Sequence, residues 1–308
     1  MDAFRHVLVV VDPADEHNKA INRALHMARL SDARLTLFLS IYDFSYEMTT
    51  MLSSEERDTM RANLIADRKA WLTDLLAGYD TTDIRIDIDV VWHNRPFEAI
   101  IEAVLKGKHD LIIKASQVTA SLQNLLFTPT DWHLLRKAPC AVLMVKEHAW
   151  PKHGQIISAV NSGSEEVHHG QLNQRIIEHA EAMSHVLDAS VHLVNAYPGA
   201  PVNVAVEIPE FDVSQYTEEL HQLHLNKMRK LGEEFQIPEE QQHVNQGLPE
   251  QVIPDLSEKL DAELVVIGTI GRTGITAALL GNTAEHVLEQ LNCDVLAVKP
   301  ADFVSPLA

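Results

Sequence analysis

Four glycines near the C-terminal end of the chain are spaced to hold an anion. The apolar run Leu264-Val265-Val266-Ile267 leads into Gly268, Gly271 and Gly274. Nine residues separate Gly271 from Gly281, where a helix-like stretch begins. A strand, a glycine-rich loop and a helix N-terminus together turn backbone N–H groups and the positive end of a helix dipole onto a phosphate. Gly268 and Gly271 would let the loop fold over such a group, because glycine permits close backbone approach and positive φ. Gly281 would open the following helix. Arg272 adds a positive charge, and Thr273, Asn282 and Thr283 add side-chain hydrogen bonds. No Lys follows to make a P-loop, and no GxGxxG follows the first strand to make a dinucleotide fold. Glycines at this spacing also serve plain turns, so the residues leave both readings open.

The elements that must position this loop occur twice. Moving 153 residues towards the N-terminus returns the same frame without its glycines: Gly268 becomes Ala115, Gly271 becomes Val118, Gly274 becomes Ser121 and Gly281 becomes Thr128. Thr128-Pro129 reads as an N-cap with proline in the first helical position, and Pro129 has no N–H where Asn282 offers one. Pro96 and Pro249 fall in the same register, and the run at 6–11 parallels that at 155–160. This internal similarity defines a duplicated domain, 1–150 and 154–308, with the loop intact only in the second copy.

In each copy apolar strands alternate with helical patterns. In the first, strands are expected at 7–11, 35–41, 84–92, 111–114 and 142–145. Helices are expected around Ile21, Leu25 and Ala28, over 55–78 with Met60, Leu64, Trp71 and Leu75 on one face, and from Pro96. Continuous Val/Ile/Leu runs indicate strands covered on both faces. The order predicts α/β architecture, with a doubly wound parallel sheet in each domain. Ligands of such sheets lie beyond the carboxyl ends of the strands, which is where the glycine loop falls.

Composition narrows the function. A chain of 308 residues suits two domains. A net charge of −19 repels nucleic acid and acidic membranes, and no basic cluster opposes it. No apolar run reaches the roughly 18 residues of a membrane span, and the N-terminal run ends at strand length in Asp12, so a cytoplasmic protein is expected. Cys140 and Cys293 hold equivalent places in the two copies and read as packed thiols. His221 and His224 have helical metal-ligand spacing, but no third ligand completes a set. Asp131 and His133 are expected on the exposed side of a helix whose Leu134 and Leu135 pack inward. No motif supports nucleophilic catalysis.

The spacing Gly268-x2-Gly271-x9-Gly281 between strand and helix resembles the nucleotide motif of the universal stress protein family. The opening run at 7–12 and the closing run at 293–299 are similar to that family's first and last strands, so the resemblance spans both domains. It implies a five-stranded, Rossmann-like sheet of the adenine-nucleotide hydrolase-like kind in each domain. It also implies ATP or AMP in the second cleft, with Mg²⁺ as companion. Gly268, Gly271, Gly281 and Asn282 would then meet phosphate, and residues 195–197, Ala196 among them, would border the base. Two positions depart from the family pattern. Asn161 stands where Asp is usual at the end of strand one, although the first copy keeps Asp12. Asn282 stands where Ser or Thr is usual, with Thr283 one place late.

The reading is a non-enzymatic stress-response protein: a nucleotide-binding second domain beside a degenerate first one, signalling to a protein partner. Family members pair their last strands, so 142–145 and 295–298 are expected to form an internal pseudo-dimer, with a homodimer as the other assembly. Three alternatives stay open. One is a ligand-free interaction scaffold. Another is a binder of a nucleotide-headed ligand with an apolar tail, for which the apolar segments 41–52 and 197–211 would form an annex. The third is a weak ATPase, disfavoured because 268–284 contains no Asp or Glu.

Overall fold

The computed structural model describes residues 4–47, 52–118, 125–164, 167–200, 212–269 and 282–308. The chain divides into two compact units. The first runs to Lys146 and takes in Val304–Ala308; the second is Glu147–Phe303.

The first unit is built from β1 (His6–Val10), α1 (Lys19–Ser31), β2 (Arg34–Ile41), the short α2 (Phe44–Glu47) and α3 (Ser54–Leu76). There follow β3 (Ile86–Trp92), α4 (Pro96–Gly107) and β4 (Leu111–Ala115), the two-residue antiparallel pair β5 (Gln117–Val118) and β6 (Leu125–Leu126), α5 (Pro129–Lys137) and β7 (Ala141–Val145). Its main strands run in the order β3-β2-β1-β4-β7, all parallel. The second unit repeats the plan: β8 (Gln155–Ala159), α6 (Val167–Leu187), β9 (Ser190–Tyr197), α7 (Val213–Glu234), β10 (Gln242–Gln246), α8 (Pro249–Leu260), β11 (Leu264–Gly268), α9 (Asn282–Gln290) and β12 (Asp294–Val298). Its order is β10-β9-β8-β11-β12, again parallel. Each unit is thus a doubly wound α/β domain of five main strands.

The strands form where β-branched and leucine runs can be covered on both sides. Every residue of β4, β7 and β12 is buried. Helix α1 forms because its apolar positions recur at helical spacing, and it buries Ala20, Ile21, Ala24, Leu25, Met27 and Ala28 against the sheet. Each large side chain so buried contributes about 1.5–3 kcal/mol. The expected match of Pro96 and Pro249 appears as two twelve-residue helices, α4 and α8, each opening on its proline. An acid just before the fourth main strand bonds the N-terminal end of the first in both units. Asp110 accepts from the N–H of Arg5 at 2.7 Å, and Glu263 accepts from that of Gln155.

The copies also leave their fourth strand alike. Ser116 donates its N–H to the Val145 carbonyl at 2.9 Å, and Thr269 does the same to Val298 at 2.9 Å. The backbone therefore departs for the ligand-side loop from the same anchored point in each unit.

Candidate ligand cleft in the second unit

A cavity of about 510 Å³ lies at the carboxyl ends of β8, β9 and β11. This is the switch position where doubly wound sheets take ligands. The first turns of α6, α8 and α9 open on it through His169, Pro249 and Ala284. Leu248, the residue before α8, is apolar and cannot cap that helix. Three helix N-termini thus direct positive partial charge at one space. Val160, Leu172, Ile176, Val194, Ile253 and Ile267 supply apolar wall. No Asp, Glu, Lys or Arg is among the described residues lining it, although the chain carries 44 acidic residues.

Asn161 follows β8 and lines the cavity. Its backbone is fixed by one side chain: the buried Asn173 accepts from the Asn161 N–H at 2.9 Å and donates to its carbonyl at 2.9 Å. Ala196 lines the cavity as expected. Its neighbours Asn195 and Tyr197 point the other way, as strand alternation requires, and bond to α7. Asn195 accepts from the Ser162 N–H at 3.0 Å, and its amide nitrogen lies 3.1 Å from His224 Nδ1. With its oxygen engaged, that amide must donate, so His224 Nδ1 is the acceptor and the ring is neutral. Burial, then Lys227 and His221, lower the His224 pKa in agreement. The ring stacks on Tyr197 at 4.7 Å and 15°, and the Tyr197 hydroxyl lies 2.9 Å from His221 Nδ1. Lys227 donates to the Gly163 carbonyl at 3.0 Å. Helix α7 therefore holds the 162–163 turn beside the cleft. The two histidines that had metal-ligand spacing serve this polar network, and among the described residues no group of three or more metal-ligating side chains occurs.

Gly268 ends β11 on the cavity wall. Its lack of a side chain has a packing cause as well as any phosphate-binding one. A Cβ there would lie 2.6 Å from Leu172 Cδ2 and 3.1 Å from Ile176 Cδ1. Gly271, Arg272 and Gly281 lie outside the described residues. Asn282 and Thr283 begin α9, the helix whose N-terminus faces the cleft. The apolar segment 201–211 is likewise outside the described residues.

One expectation is corrected. Asp131 is wholly buried, not exposed, because the Lys114 ammonium lies 2.7 Å away. His133 is partly covered as well, stacked on Phe97 at 4.0 Å. Leu134 and Leu135 do pack inward. Sequence reasoning also missed a pair on β9 and β10, His192 and His243, whose ring nitrogens approach to 3.0 Å.

Tandem parallel α/β units, one with a cleft at its strand ends, are the architecture of a known class. The chain matches the universal stress protein family over residues 3–146 and 168–299, and it belongs to that family. It is 48% identical over 308 residues to "Universal stress protein E" of Escherichia coli (strain K12), a match covering 100% of this chain and 98% of that protein. It is 40% identical to the "Universal stress protein E homolog" of Haemophilus influenzae, covering 97% of this chain and 98% of that one. Among solved structures it resembles a putative universal stress protein from Pseudomonas aeruginosa UCBPP-PA14. The TM-score is 0.76 at 30% identity, over 98% of this chain and 95% of that one. A universal stress protein from Archaeoglobus fulgidus, at 12% identity and TM-score 0.65, shares the fold over 98% of both chains. No helix among the described residues is long and apolar enough to cross a membrane.

Proposed function

We propose that the second unit binds an adenine nucleotide, ATP or AMP, and that the protein acts as a ligand-responsive regulatory module in the stress response. The carrying observation is electrostatic. Three helix N-termini open on a cavity whose described wall holds no carboxylate, in a chain of net charge −19. A site for a cation would invert that arrangement. A volume of about 510 Å³ is in the range of small-molecule sites. The apolar wall suits a base, and the Asn161 amide suits a ribose hydroxyl. Gly268, Gly271, Gly281, Asn282 and Thr283 are assigned to the phosphates, with Arg272 contributing charge. The described wall offers Mg²⁺ no carboxylate, so from those residues the ion would be held by phosphate oxygens and water.

Binding without turnover is part of this reading. Hydrolysis needs a positioned base for the attacking water; the described lining holds no carboxylate, and of its two histidines His224 has its Nδ1 engaged by Asn195. Nucleotide occupancy would instead be read by a protein partner through the turn that α7 holds. Equilibrium dialysis with ATP and with AMP tests this reading. The native chain should bind, Gly271→Val should not, and Asn161→Leu should bind more weakly because it removes the amide offered to the ribose. Retention of full affinity by both variants, or turnover abolished by Gly271→Val, would remove the reading.

A further inference from the structure

The first unit contains a closed version of the same anion place. Lys114, near the end of β4, lies 2.7 Å from Asp131 Oδ1 and donates to the Ala115 carbonyl at 3.1 Å. The Lys114 and Asp131 side chains are 8% and 0% exposed. Asp131 is the third residue of α5, and its other oxygen accepts from the Thr128 N–H at 2.6 Å and the Thr128 hydroxyl at 2.8 Å. The Asp131 N–H donates back to that hydroxyl at 3.3 Å, completing a capping box. One carboxylate thus receives an ammonium, a hydroxyl and a backbone N–H at a helix N-terminus. These are the donor types that bind an external phosphate.

The second unit differs at each of these positions. In the register set by the duplication, Lys114 becomes Ile267, Asp131 becomes Ala284 and Thr128-Pro129 becomes Gly281-Asn282. Ile267 and Ala284 both face the cavity. The carboxylate, its ammonium and its capping hydroxyl are therefore absent together from the second unit, at the cleft described above. An isolated loss would suggest drift; the joint loss suggests one function exchanged for another.

We propose that the Asp131 carboxylate occupies in the first unit the place an oxyanion of the ligand takes in the second. The first unit is a self-filled anion site, and the chain accepts one ligand. This rests on the nucleotide reading for the identity of that ligand, but the first-unit site is tested by itself with inorganic phosphate.

The test is thermal unfolding of the full chain in about 20 mM sodium phosphate against sodium chloride of matched ionic strength. Asp131→Ala strands a buried ammonium and should melt below the native chain in chloride. Phosphate should enter the vacated place and raise its melting temperature by roughly 4 °C, the shift for a site filled about twentyfold over its dissociation constant. The native chain and the uncharged double variant Lys114→Met with Asp131→Ala should share one common response, from the open anion place of the second unit, and Asp131→Ala should exceed it by that amount. A phosphate response in Asp131→Ala no larger than in the native chain would overturn the proposal. So would an equal response in the double variant, since phosphate would then act elsewhere. Should Asp131→Ala fail to fold, Asp131→Ser leaves most of the place open and sets a hydroxyl beside the Lys114 ammonium, and phosphate titration followed by ³¹P NMR reads the same site. ATP dialysis on the native chain reports separately on the second unit: loss of ATP binding with phosphate rescue intact fails only the nucleotide reading, and the converse fails only this one.

Discussion

Gly268→Ala separates a packing requirement from a phosphate requirement at the first glycine of the motif. The added Cβ would lie 2.6 Å from Leu172 Cδ2 and 2.9 Å from its Cγ, well inside ordinary contact. Leu172 is 4% exposed and Ile176 is 2% exposed, and both line the cavity, so relief would push the end of Leu172 into the ligand space. Overpacking of this kind costs about 1–3 kcal/mol. For a unit of this size each kcal/mol lowers the melting temperature by about 2–4 °C, which gives a fall of roughly 2–12 °C without any ligand. The cause is specific to one contact, so the substitution should couple to Leu172→Ala. That change alone costs about 2–5 kcal/mol by leaving a cavity, and the added methyl would partly fill it. The double variant should therefore be less destabilised than the sum of the two single ones. Differential scanning calorimetry of the four proteins measures this. An unchanged melting temperature in Gly268→Ala, or strict additivity with Leu172→Ala, would refute the packing argument and return Gly268 to the phosphate alone.

Three further outcomes are expected. Asn173→Ala strips the backbone N–H and carbonyl of Asn161 of their partners; it should cost about 1–3 kcal/mol by chemical denaturation and weaken nucleotide binding measured by dialysis. Burial holds His192 and His243 below the ordinary imidazole value of 6.5, and in His243 the neighbouring His192 and Lys259 push the same way. Such rings are neutral when folded and take up protons on unfolding, so their contribution is present above the unfolded value and is lost as pH falls through 6.5 towards the folded value; His243→Gln should flatten the decline in melting temperature between about pH 7.5 and 5.5. His224→Gln keeps a polar partner for Asn195 but removes the stacking ring. It should loosen the 162–163 turn, read as faster amide exchange at Ser162, while His224→Ala should loosen it more.

Most of the architecture could be read before any coordinates because duplication repeats its own punctuation. Pro96 and Pro249 open matching helices, and the runs at 111 and 264 start matching strands. The second-unit cleft was also foreseeable, since the loop follows a strand whose carboxyl end must face the switch position. What escaped were contacts between residues distant along the chain. Asp131 was expected on the exposed side of its helix, and Lys114 entered only as the last residue of the strand at 111–114, which runs on to Ala115. A signal was available: one unit has Lys and Asp where the other has Ile and Ala, so the charges come and go as a pair. His192 and His243 lie 51 residues apart, and nothing local marks them as neighbours. Gly268 was read as a phosphate glycine because sequence shows backbone freedom but not which helix lies against it.

Native mass spectrometry of the full chain with ATP and Mg²⁺, beside an Ala284→Asp variant, tests the central claim. The variant places in the second unit the carboxylate that fills the first, and a charge about 4 Å from a phosphate costs on the order of 4 kcal/mol at an effective dielectric of 20. The account predicts one nucleotide per native chain and none on Ala284→Asp. Two nucleotides per native chain, no nucleotide on the native chain, or one that persists in the folded variant would contradict it.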